Sequence, residues 1–218
     1  MLQQEALMAA NDGLCSSNLE VAGLSSPADI EHEQDECNRI FFKSDQMYRH
    51  HLARFNYTTY DIRRSQDVIN PNTSHHDVVL LAKEDTITNG TGHRFLYAQV
   101  LGIYHVNVIY TGPGALDHGA RKIKFLWVRW FEYAGNRSLA WRDCRLDSLH
   151  FPPVASDDAF GFIDPRDVLR GCHLVPAFAS GRVHLDRIGI SHCASDSHDW
   201  RYYYVNRYDY FCLTFLGR

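Results

Sequence analysis

Lys122-Ile123-Lys124-Phe125-Leu126-Trp127-Val128-Arg129-Trp130-Phe131-Glu132-Tyr133 is the stretch that decides the fold class. Its side chains alternate, with Phe125, Trp127, Arg129 and Phe131 on one face and Leu126, Val128 and Trp130 on the other, which is strand periodicity. One face is expected to be buried and the other half wet. Just upstream, Phe95–Tyr110 is a run of Val, Ile, Leu and Tyr interrupted by Gly102. It reads as a central strand that bends or bulges at the glycine. Thr111-Gly112-Pro113-Gly114 ends it as a turn.

Further toward the C-terminus, residues 141–151 suit a third strand, and Pro152-Pro153 followed by Ser156-Asp157-Asp158 marks a surface excursion. Asp164 ahead of Pro165 is the signature of a helix start, so a short helix over 166–170 stopped by Gly171 is expected. Residues 172–178 return as a strand, 180–197 form a variable loop, and 200–208 form a last aromatic strand. Val100, Val128 and Val175 are expected to meet in one barrel interior.

Toward the N-terminus, Ser44 suits the cap of a helix reaching about Arg54, with Tyr48, His51, Leu52 and Phe55 recurring on one face. Residues 55–69 and 77–82, separated by Asn70-Pro71-Asn72, read as a hairpin or extended arm, and 84–92 as a linker. Residues 1–38 carry eight acidic side chains and no Lys or Arg. They read as a mobile leader, with one short helix over 2–10. The expected organisation is therefore an acidic leader over 1–38, a helix and β arm over 39–92, and a mainly β domain over 93–218.

The formal net charge of −4 conceals this asymmetry, because from Arg39 onward 22 basic side chains face 18 acidic ones. That excess is too small to imply nucleic-acid binding by itself. Six cysteines are scattered without any C-x-x-C, and no signal sequence opens the chain, which points to a reducing, intracellular setting. The N-x-[ST] matches at Asn56, Asn72, Asn89 and Asn136 then read as turn chemistry. No apolar run approaches the length of a membrane span.

Four stretches, in this order, resemble a bromo-adjacent homology (BAH) domain. Phe95-Leu96-Tyr97-Ala98-Gln99-Val100-Leu101-Gly102-Ile103-Tyr104 is similar to the family's opening strand, and Leu126-Trp127-Val128-Arg129-Trp130-Phe131-Glu132 to its V-x-W-F strand. Residues 164–175, Asp-Pro-Arg-Asp-Val-Leu-Arg-Gly-Cys-His-Leu-Val, are similar to its late helix-to-strand step. Tyr202-Tyr203-Tyr204-Val205-Asn206-Arg207-Tyr208-Asp209 is similar to its closing strand. The resemblance implies a partly open SH3-like barrel with short helices, no catalysis, and a nuclear, chromatin-associated role docking a protein or peptide. The family's R-P-E-x-T after the W-F is replaced here by Tyr133-Ala134-Gly135, and 211–218 is abruptly apolar. The wider sequence, including Phe55-Asn56-Tyr57-Thr58-Thr59-Tyr60-Asp61-Ile62-Arg63-Arg64, also resembles the C-terminal part of uncharacterised transposon-associated proteins of mushroom-forming fungi.

Several constellations are candidates for chemistry. Tyr104, Trp130, Glu132, Tyr133 and Trp141 are, by resemblance and by position near strand ends, the residues for an aromatic and acidic cage around a methylated lysine. The competing reading is that they pack the barrel. Arg121, Lys122, Lys124, Arg129, Arg142 and Arg145, interleaved with Trp127 and Trp141, suit single-stranded nucleic acid, the alternative being a solvated sheet face. Cys172-His173 and His192-Cys193, with His184, offer zinc-type ligands, but neighbours on a strand point apart and the usual two-to-four-residue spacing is missing, so no metal or other cofactor is expected. Asp164 imitates a nuclease carboxylate but reads better as a cap, and no catalytic motif is present, so no catalytic residue is named. A metal-dependent nuclease fragment remains an alternative.

Overall fold

The computed structural model describes residues 39–58, 63–82, 95–115, 117–134 and 146–206. The leader, the 84–92 linker, Trp141, Arg142, Arg145 and the apolar terminus over 211–218 lie outside the described residues. Within them, no helix is long and apolar enough to cross a membrane.

The protein is mainly β, a sheet curled into a half-barrel. Among the described residues eleven strands run in chain order: β1 (Ile40–His50), β2 (Ala53–Thr58), β3 (Arg64–Ile69), β4 (Asp77–Leu81), β5 (Phe95–Tyr110), β6 (Arg121–Tyr133), β7 (Ser148–His150), β8 (Phe160–Ile163), β9 (Val168–Gly171), β10 (Leu174–Pro176) and β11 (Tyr203–Val205). The long β5–β6 ribbon is the spine. Its neighbours follow the path β10-β11-β7-β6-β5-β4-β9, with β1 added beside β5 and β8 beside β6. Only Cys172 and His173 separate β9 from β10, so the chain itself joins the two ends of that path.

Alternation along the ribbon sorts the apolar residues into an inner and an outer set. Inside the curl, Val79, Tyr97, Phe131, Leu149, Leu174 and Val205 form one cluster, with Leu169 packed on it, so every strand of the path contributes. Outside, Val78, Leu80, Ala98, Val100, Leu126 and Val128 form a second cluster, which Phe55 and Ile69 of the β2–β3 hairpin cover. A third, with Tyr104, Val106, Val108 and Phe125, fills the far end of the ribbon under β1. Both faces of β6 are therefore buried along its middle, whereas the sequence suggested one wet face. The bulge falls where Gly102 led us to expect it, since Val100 pairs with Val128 but Gly102 with Trp127, leaving Leu101 as the extra residue. A Cβ at residue 102 would collide with the Tyr104 ring as it stands, so a larger residue there requires that ring to shift.

Four local expectations are corrected. Residues 44–50, expected as the start of a helix, lie in β1 and pair with β5, because Phe42 and Met47 reach the third cluster from a strand. Ser44 and Asp45 take left-handed φ values of 62° and 48° where that pairing skips register. Residues 77–81 are not the second arm of a hairpin but join the main sheet between β5 and β9, and the hairpin is β2 with β3. No helix forms over 166–170: residues 164–167 make a turn in which the Asp164 carboxylate accepts the Arg166 N–H at 2.8 Å, and β9 begins at Val168. Finally, Val175 does not join Val100 and Val128, which themselves lie in the outer cluster. It is 37% exposed, and Leu174 takes the interior place.

Candidate functional site

The residues expected to form a cage are dealt to three different clusters by the alternation and the bulge. Tyr104 is buried in the third cluster and stacks on Phe125 with centroids 5.6 Å apart. Trp130 packs against the outer cluster, its indole Nε1 above Gly161 of β8. Tyr133 leans into the inner cluster and donates its hydroxyl to the Phe95 carbonyl at 3.1 Å. Glu132 is exposed, 3.5 Å from His150 Nε2. The structure therefore does not gather Tyr104, Trp130 and Tyr133 around one cation.

Of the basic set, Arg121, Lys122 and Lys124 are exposed at the start of β6. Arg129 is not on that surface. It points into the curl between Trp127 and Phe131, 2% exposed, with its guanidinium carbon 3.8 Å over the Phe151 ring and Nη1 donating to Asp199 Oδ2 at 2.7 Å. Sequence reasoning missed this, although a lone arginine in a Phe-Trp-Phe row is the signal of a buried one. Its Nε has no hydrogen-bond partner among the described residues.

Around this pair lies a buried polar group. Burial pushes the Asp199 carboxyl up to about 6, against the opposing pull of Arg129. For Asp196, burial alone would raise the carboxyl, but the N–H groups of Ile190 and Ser191, at 2.8 and 3.0 Å, together with His184 and Arg129 hold it below its ordinary value. Asp77, also buried, is pushed up to about 8 by desolvation, with only a backbone N–H at Leu174 opposing. Its neighbour His76, 3.6 Å away, is itself pushed down by burial, which weakens it as a counter-charge.

The Asp196 contacts fix the outward shape of the 182–190 loop. Val183 N–H donates to the Asp199 carbonyl at 3.0 Å, Arg182 bridges Trp200, and Asp196 holds Ile190 and Ser191. On this frame Leu185, Ile188 and Ile190 are 84%, 70% and 81% exposed, beside a half-exposed Val183. Four aliphatic side chains on a braced loop are unusual on a surface that meets only water. Their spacing, Val183-x-Leu185 and Ile188-x-Ile190, was visible in sequence but was read as a variable loop.

The zinc-type residues are dispersed. Cys172 and His173 line a cleft of about 410 Å³ beside Asp67 and Arg170, while His184 faces Asp196 Oδ2 at 3.7 Å and Cys193 is exposed. Among the described residues no three His, Cys, Asp or Glu side chains are grouped to hold a metal ion. Asp164 serves its turn. No family model, curated protein or solved structure matches this chain.

Proposed function

We propose that this chain is a non-catalytic, BAH-like interaction module that docks a protein or peptide on its 182–190 loop. The observation that carries the proposal is the exposure of Leu185, Ile188 and Ile190 on a loop anchored from behind by Asp196 and Asp199. A braced apolar array loses little conformational entropy on binding and gains from every aliphatic contact it covers. The occupant that fits is an extended segment carrying aliphatic side chains, since the array lies along a chain rather than around a pocket.

The BAH-like assignment is supported by where the four resembling stretches fall. They lie on β5, on β6, across the turn, β9 and β10, and, for the described part of the last stretch, on β11, and each contributes to the inner cluster. A nuclear, chromatin-associated setting and a transposon-derived parent belong to the same reading, and rest on the resemblance.

Random-peptide display, selected in parallel on the full wild-type chain and on Leu185→Ser/Ile190→Ser, tests the proposal. Both side chains are exposed, so the variant should keep stability within about 0.5 kcal/mol. An aliphatic consensus enriched on the wild type and lost on the variant is expected. No enrichment, or a consensus that survives the double substitution, would overturn the docking site.

A further inference from the structure

At the opposite end of the ribbon, and independently of the loop, we infer a second surface that holds single-stranded nucleic acid, with Lys122 and Lys124 on the phosphates and Tyr48 stacking a base.

Strand register assembles it. Tyr48, His105 and Lys124 are cross-strand neighbours in one row, and Asn107 pairs with Lys122 in the next. Phe42, Met47, Tyr104, Val106 and Phe125 point into the third cluster, so the residues alternating with them project from the other face. That face carries Phe41, Tyr48, His50, His105, Lys122 and Lys124. The Tyr48 ring lies flat on His105, with centroids 4.6 Å apart and planes 8° from parallel, and its hydroxyl donates to Gln46 at 2.9 Å. One ring face is thus fixed against the protein, and the residue is still 42% exposed. Phe41 supplies a second exposed aromatic further along β1.

On the two ribbon strands the charge of this surface is of one sign, and the single carboxylate of β1, Asp45, sits at the irregularity between Phe42 and Met47. β5 contains no acidic residue, and β6 has none before Glu132. Neither lysine takes part in an ion pair among the described residues. His50 Nε2 and His105 Nδ1 are 2.6 Å apart, a contact that needs one donor and one bare nitrogen, so the two rings are not both charged while it persists. Burial first, then the charges of Lys122, His50 and Lys124, hold His105 below the ordinary histidine range, in keeping with the register that sets Lys124 directly opposite it. Cations flanking an exposed, pre-positioned ring are what a strand of phosphates and unpaired bases requires. A duplex hides its base faces, and a phosphorylated peptide lacks the regular succession of phosphates and flat rings that a nucleic-acid strand offers to Lys122, Lys124 and Tyr48 together.

The test is fluorescence anisotropy of the full chain with labelled oligothymidylate and oligouridylate of about a dozen nucleotides, over a salt series. Binding to either polymer is expected to weaken linearly in log–log form with salt. Lys122→Gln/Lys124→Gln should lower that slope by roughly 1.4, since two phosphate contacts are lost at roughly 0.7 each. Tyr48→Ala should weaken binding about fivefold or more at unchanged slope, because stacking is lost and charge is not. Preference between the two polymers tells RNA from DNA. Failure to bind at low salt overturns the inference, as does binding indifferent to both variants. So does inorganic polyphosphate or a phosphopeptide competing as well as the oligonucleotides, which would mean that the bases are not recognised.

Discussion

Arg129 Nη1 lies 2.7 Å from Asp199 Oδ2 inside the curl of the sheet, 70 residues apart in sequence, and this contact ties the β6 spine to the segment that carries the apolar loop. The two partners are not equivalent. A guanidinium keeps its charge whatever surrounds it, whereas burial already pushes the Asp199 carboxyl up to about 6. Asp199→Leu should therefore cost about 3–5 kcal/mol by stranding a buried cation, and Arg129→Met less, because Asp199 then takes a proton. The double variant should be more stable than the sum of the two losses implies. Urea denaturation of all three measures this, and equal, small losses in both single variants would show that the pair bears little of the fold.

Trp130 and Gly161 form a second close relationship, across the β6–β8 pair. A Cβ at residue 161 would lie 2.5 Å from the Trp130 indole nitrogen, so the ring covers the backbone only because no side chain is there. Gly161→Val should displace the indole, cost about 1–3 kcal/mol and shift tryptophan emission to longer wavelength. Unchanged emission with full stability would mean that the ring does not rest on β8.

Both ribbon strands were legible because their side chains alternate with the pleat, and the bulge because a glycine interrupting an apolar run marks a break in the ladder. Elsewhere local signals competed with distant ones. Ser44 suits a cap and Tyr48, His51, Leu52 and Phe55 carry helical spacing, yet pairing with β5 and burial of Phe42 and Met47 won, a contest that no local window contains. The expected meeting of Val100, Val128 and Val175 failed on both sides: Val100 and Val128 pack in the outer cluster, and on the three-residue β10 it is Leu174, one place away and so on the opposite face, that turns into the inner one. Of the candidate site, the exposure of Lys122 and Lys124 was readable. The Tyr48–His105 stack and the Arg129–Asp199 pair were not, since each joins segments more than fifty residues apart.

The irregularity in β1 gives a backbone test of that same contest. Asp45 holds a φ of 48°, where an ordinary side chain is strained and glycine is not. Asp45→Gly should raise stability by about 0.5–1 kcal/mol and Asp45→Val lower it by about 1–2 kcal/mol, read from denaturation midpoints. If both substitutions are neutral, β1 does not hold this conformation in solution.

Asp77 sets the sign of the pH dependence. Its carboxyl is pushed from 3.8 to about 8 in the folded chain, so between those values the native state binds a proton that the unfolded state has released. The stability from this group is fully present below its unfolded value and is lost as pH rises through the folded one, at up to roughly 1.4 kcal/mol per pH unit. Asp199 acts in the same direction but is spent by about 6. Burial lowers His76 and His105 from 6.5, so their contributions are complete above 6.5 and vanish only as pH falls. The interval from about 6.5 to 8 therefore isolates Asp77. Wild-type stability should fall across it, while Asp77→Asn, which keeps the shape and cannot ionise, should be nearly flat. A slope that survives the substitution would assign the dependence to another group.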